Sequence, residues 1–191
     1  MCSMKNLVEP IKNRKDIEAV EQYLASKSMR NRLIFVFGIN TGLRVSDILN
    51  LNIDDVKDKT YVEIREKKTG KFKRFPLNNK LQQLIKDYLE NYRNNHYAID
   101  NIKPLFIGKK HCRLDRSQVY RFLNEACKHA GLTINAGTHT MRKTFGYHNY
   151  KQFKDAALLQ KILNHTSLSI TLRYIGIDQE EIDRSYNSFV L

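Results

Sequence analysis

Two spacings of apolar residues organise this chain. Ile17, Val20 and Leu24 recur three or four residues apart, which predicts an amphipathic helix over about 15–28. Residues 30–40 are apolar almost all round and predict a buried helix, with Gly42 placed to end it in the left-handed conformation. A short helix over 44–51 follows, with Arg44 on its first turn. At 61–65 (YVEIR) and 72–76 (FKRFP) the period changes to two, and the intervening KKTGK marks the tip of a β-hairpin. Helical spacing returns at Leu81, Leu84, Ile85, Tyr88, Leu89 and Tyr92. It recurs at Val119, Phe122, Leu123, Ala126, Cys127 and Ala130, closed by Gly131. Helices over about 138–150, 155–163 and 167–175 and a tail helix from about 179 complete a mostly helical α+β chain with one small antiparallel sheet.

The 191 residues predict one domain over 1–191, and 41% hydrophobic residues suffice for a core without staples or metals. The longest apolar run, Leu33 to Ile39, has the length of a core segment and falls far short of a membrane span. The N-terminal MCSMKNLVEPIKNRKD lacks a signal-peptide core, so a cytoplasmic protein is expected. Cys2, Cys112 and Cys127 form no CxxC pair and are expected as free thiols. Cys112 follows His111 without further ligands at finger spacing, so no metal site is expected.

Charge narrows the partner. Thirty-three Lys and Arg against 20 Asp and Glu give +13, which points to a polyanion, and nucleic acid fits best. Several candidate groups then suit the cleavage of a phosphodiester. Arg44 in TGLRVSDIL and Arg142 in HTMRKT supply fixed forked cations for two non-bridging oxygens. His139, one helical turn before Arg142, can face the same phosphate. Lys68 on the hairpin tip suits a general acid for the leaving 5′-oxygen, with Lys67 and Lys71 as neighbouring alternatives. Tyr174 in LRYIG can attack and form a covalent intermediate, and His165 in LNHTS can donate to the phosphate. Each residue alone has a commoner structural explanation; their joint order and spacing do not.

With these six residues the chain resembles the catalytic domain of the tyrosine recombinases, the phage integrase family, over about residues 12–191. The resemblance implies Arg44, Lys68, His139, Arg142, His165 and Tyr174 as the catalytic set, with Asp47 supporting the first arginine and histidine. It implies cleavage through a 3′-phosphotyrosine, strand exchange on double-stranded DNA in a homo-oligomeric synaptic tetramer, and no metal or other cofactor. Accessory DNA-bending proteins are possible partners; a membrane is not expected as one. Lys67, Lys71, Lys73, Arg74 and Lys143 are expected DNA contacts, and His148, Tyr147 and Tyr150 are expected to pack or to lie near DNA. A non-catalytic DNA-binding relative and a type IB topoisomerase are the alternatives. Two departures stand out: no room for the N-terminal core-binding domain, and Asn164 in place of the usual glycine before His165, where asparagine tolerates the same backbone. The tail, about 178–191, carries Ile182, Tyr186, Phe189 and Val190. These either cover the chain's own core or dock on a neighbouring subunit.

Overall fold

A computed structural model describes residues 8–95, 104–108, 112–175 and 179–190. Cys2 and His111 lie outside the described residues. Helix α1 (Arg14–Lys27) starts at Asn13, whose side chain accepts the Lys15 N–H at 2.9 Å. Ser28 then ends α1 and begins α2 (Met29–Thr41). Its N–H donates to Leu24 O at 2.8 Å while its hydroxyl accepts from Asn31 N, so one residue serves two termini. Leu33, Ile34, Phe35, Val36 and Phe37 are all at most 1% exposed, which makes α2 the centre of the core. Burial of each such side chain is worth roughly 1.5–3 kcal/mol.

Helix α2 stops at Gly42, in the left-handed region at φ 62°. A Cβ there would also lie 2.5 Å from the Phe145 ring. Arg44 is the N-cap residue of α3 (Val45–Asn50), in extended backbone, rather than part of its first turn. After a 3₁₀ turn at Ile53–Asp55, strands β1 (Tyr61–Arg65) and β2 (Phe72–Pro76) pair antiparallel with Val62 opposite Phe75 and Ile64 opposite Lys73. The predicted hairpin bounds match the structure.

Helices α4 (Asn79–Asn95) and α5 (Arg116–His129) pack on the same core. Asp115 and Gln118 form a reciprocal capping box at the start of α5. Helix α6 (Thr140–Phe153) crosses α2 closely, because Gly38 offers no Cβ: one built there would stand 2.8 Å from Met141 Cβ. That approach brings Arg142 to the end of α2. Helices α7 (Ala156–Leu163) and α8 (Leu168–Ile175) bury Leu159, Leu163 and Ile175 in a smaller cluster beside α6. Helix α9 (Gln179–Ser188) follows. Its neighbourhood leaves Tyr186, Phe189 and Val190 at 80%, 71% and 87% exposure, so these do not cover the chain's own core. The Ile182 side chain lies outside the described residues.

Candidate active site

Four segments meet where α2, the hairpin, α6 and the α7–α8 corner converge. Arg142, on the first turn of α6 and 2% exposed, donates from Nη1 to Gly42 O at 2.6 Å and from Nη2 to Leu163 O at 2.5 Å. Both acceptors are carbonyls at helix ends, where intrahelical partners run out and the dipole is negative. The guanidinium therefore fastens α6 to the ends of α2 and α7.

Arg44 stands across the site. Its Nη1 lies 2.9 Å from Glu66 Oε2 and 3.9 Å from Asp47 Oδ2, and both carboxylates are buried. Asp47 also accepts the Lys67 N–H at 2.9 Å. Arg44 Nη1 is buried against these carboxylates, which hold the guanidinium in place by charge.

Asn164 adopts the left-handed conformation at φ 52°, which ends α7 and turns the chain into His165. The asparagine thus occupies the glycine conformation. His165 Nδ1 lies 3.0 Å from the buried Thr171 hydroxyl. That hydroxyl also donates to Ser167 O at 3.5 Å, and the contact fixes the orientation of the imidazole. Burial, reinforced by the charges of Arg142 and Arg44, pushes His165 down to about 4. His139 is the N-cap residue of α6, one residue outside the helix proper, and burial with the same arginines lowers it too. Both imidazoles are therefore neutral at pH 7.

Tyr174 is delivered by α8. Its hydroxyl lies 3.4 Å from His139 Nδ1, and its ring meets that of His165 edge to face at 5.0 Å between centroids. Burial raises its pKa, against the opposing pull of Arg142 and Arg44. Lys143 Nζ stands 5.2 Å from the centre of the same ring. Arg44, His139, Arg142, His165 and Tyr174 are thus brought together.

The hairpin lysines divide. Lys67, Lys68 and Lys71 are exposed at the turn, and the exposed Arg74 stacks over Tyr61 at 4.6 Å. Lys73 corrects the sequence expectation of a surface contact: it is 9% exposed, and its Nζ donates to Ile162 O at 2.8 Å. Burial, with the neighbouring Arg142, lowers it to about 8. Strand alternation carried the signal, since Lys73 lies two residues before buried Phe75 and opposite Ile64. Glu66 was also missed; it continues the inward series Val62, Ile64 one step past β1. Of the other aromatic and histidine candidates, His148 hydrogen-bonds Ile11 O at 3.0 Å.

The histidine environment predicts the pH dependence of stability. An unfolded chain binds a proton on histidine near pH 6.5, whereas folded His165 does so only near 4. Between these values the unfolded chain holds more protons, so stability falls as pH falls, and His139 adds the same sign. The Tm of the DNA-free protein should drop between pH 6.5 and 4.5, less steeply in His165→Asn. An unchanged slope in that variant would remove His165 from this explanation.

The phage integrase family model matches residues 12–181. The chain is 42% identical over 187 residues to the probable integrase/recombinase YoeC of Bacillus subtilis, covering 96% of this chain and 98% of that protein. It is 32% identical over 173 residues to the tyrosine recombinase XerH of Campylobacter jejuni, covering 88% of this chain but 48% of XerH. A crystal structure of XerH bound to palindromic difH substrate, a post-cleavage complex, superposes with a TM-score of 0.76 at 23% identity. That match covers 98% of this chain and 55% of the XerH chain. The chain therefore spans about half the length of XerH and nearly all of YoeC. It belongs to the phage integrase family.

Proposed function

We propose that this chain is one catalytic domain of a site-specific DNA recombinase that cleaves and rejoins strands through a 3′-phosphotyrosine. The observation that carries the proposal is the Tyr174 hydroxyl, 3.4 Å from His139 Nδ1 and close to Arg44, Arg142 and His165. Tyr174 Oη attacks the scissile phosphorus, and neutral His139 takes the phenolic proton. The P–O bond to the 5′-oxygen breaks, and Lys68 supplies that oxygen's proton. Arg44, Arg142 and His165 donate to the two non-bridging oxygens as charge gathers there. The phosphotyrosine ester conserves the energy of the broken bond, so the reverse reaction with a new 5′-hydroxyl rejoins strands without a high-energy cofactor.

Membership of the family, the +13 charge and the DNA-bound XerH relative support double-stranded DNA as substrate. The exposed Tyr186, Phe189 and Val190 support tail docking between copies in a DNA-bound homo-oligomer, the tetramer that strand exchange needs. No helix among the described residues is long and apolar enough to cross a membrane, and we assign the protein to the cytoplasm.

Lys67, Lys71 and Arg74 are assigned to the DNA backbone, whereas Lys143 stands against Tyr174. Lys71→Ala should weaken binding and reduce the slope of log affinity against log salt by about one. Lys73→Met should leave that slope unchanged while lowering cleavage, because its bond runs inward to Ile162 O. Equal slope changes in both variants would return Lys73 to the DNA surface. Joining of cleaved ends to a second duplex tests the proposal as a whole. Supercoil relaxation with no such joining would indicate a topoisomerase instead.

A further inference from the structure

We propose that Glu66 is a positioning residue serving two catalytic groups at once: it holds the Arg44 guanidinium by charge and the turn carrying Lys68 through Thr69. The inference rests on the assignment of Lys68 as general acid. Glu66 lies one residue past β1 and is 1% exposed. Val62, Ile64 and Glu66 share one face of the extended chain, so an apolar residue would continue the buried series at lower desolvation cost. A carboxylate stands there instead, and its contacts show its use.

Glu66 Oε2 lies 2.9 Å from Arg44 Nη1 and accepts the Thr69 hydroxyl at 2.7 Å. The Glu66 main chain closes the same loop, receiving Gly70 N–H on its carbonyl at 2.8 Å and donating to Lys71 O at 2.9 Å. On the other side of Lys68, the Lys67 N–H donates to Asp47 Oδ1 at 2.9 Å. Both chain neighbours of Lys68 are therefore tied to the two carboxylates beneath Arg44. The side chain of Asn164, next to His165, also faces Glu66 and helps to hold its pKa down. A lysine has four flexible bonds, and fixing the backbone under it restricts where its ammonium can reach.

Two substitutions separate the roles. Thr69→Val removes the hydroxyl link, together with the longer 3.3 Å bond that the hydroxyl accepts from Lys71 N–H, and keeps the charge. Glu66→Gln removes the charge and keeps an oxygen that can accept from Thr69. Amide exchange in the DNA-free protein tests the link without any activity. In Thr69→Val, exchange at Lys67 and Gly70 should rise about tenfold, the size of one lost hydrogen bond, with α2 unchanged. Unchanged exchange at both amides would overturn the proposal.

Cleavage then tests what the link serves, on synthetic duplexes of the sequence that wild type captures covalently. One duplex has the normal scissile phosphate and the other has sulfur at its 5′-bridging position, which leaves as thiolate without needing an acid. Thr69→Val should cleave the normal duplex about tenfold more slowly and the sulfur duplex at the wild-type rate. Glu66→Gln should stay slow on both, because Arg44 acts on the non-bridging oxygens. A Thr69→Val defect that persists with sulfur would overturn the route through Lys68. Lys68→Ala is the control: its failure to recover on sulfur would reject Lys68 as the acid, a different failure from that of the turn.

Discussion

Tyr174→Phe should bind DNA within about threefold of wild type, since phosphate contacts dominate affinity, and form no covalent adduct. The substitution removes one oxygen. The ring keeps its edge-to-face contact with His165 and its place beneath Lys143, and the hydroxyl's 3.4 Å contact with His139 is long enough to cost little stability. Loss of the adduct with retained binding and an unchanged Tm would therefore report chemistry alone. An adduct formed by Tyr174→Phe would assign the nucleophile elsewhere among the ten tyrosines.

Arg142→Ala should have a double effect. Removing a preorganised charged donor from a phosphate site costs about 10²–10³ in rate. The same guanidinium satisfies Gly42 O and Leu163 O inside the protein, and truncation leaves both carbonyls unpaired. Each lost charged hydrogen bond is worth about 1.5–3 kcal/mol, partly offset because the buried charge, itself pressed by Arg44, also disappears. A net loss of about 2 kcal/mol would lower Tm by roughly 4–8 °C in a chain of this size. The two carbonyl bonds thus give Arg142 a part in the fold as well as in the site. Arg142→Lys should keep the charge but lack the fork, and should recover little cleavage. Full activity in Arg142→Lys would show that a point charge suffices there.

The hairpin was legible in the sequence because period-two alternation and a Thr-Gly turn coincide at one place. Helix α2 was legible because its apolar run is too long to be exposed and too short to span a membrane. Asn164 before His165 could be placed in the left-handed region, since few other residues tolerate it, and it lies there at φ 52°. Helix starts shifted by a residue or two: Arg44 and His139 are N-cap residues rather than helical ones, a difference that propensity cannot resolve.

The sequence reading left Glu66 out and placed Lys73 among the DNA contacts. A charged residue in a basic hairpin reads as solvated until its register against the partner strand is known. Here Lys73 faces Ile64, inward, and its ammonium finds Ile162 O at the end of α7. Long-range partners of this kind, 89 residues apart, leave no local pattern. The clustering of Arg44, Arg142, His139, His165 and Tyr174 was inferred from order along the chain. Its physical basis is the close crossing of α2 and α6 at Gly38.

The most direct test of the central claim is to identify the amino acid joined to DNA. Wild-type protein incubated with sheared DNA of the source genome would be quenched in SDS, freed of unbound DNA, and digested with trypsin and nuclease for mass spectrometry. The predicted result is a single nucleotide-bearing peptide, with the 3′-phosphate esterified to Tyr174. An adduct at another residue, or no adduct despite salt-sensitive binding, would contradict strand transfer through Tyr174.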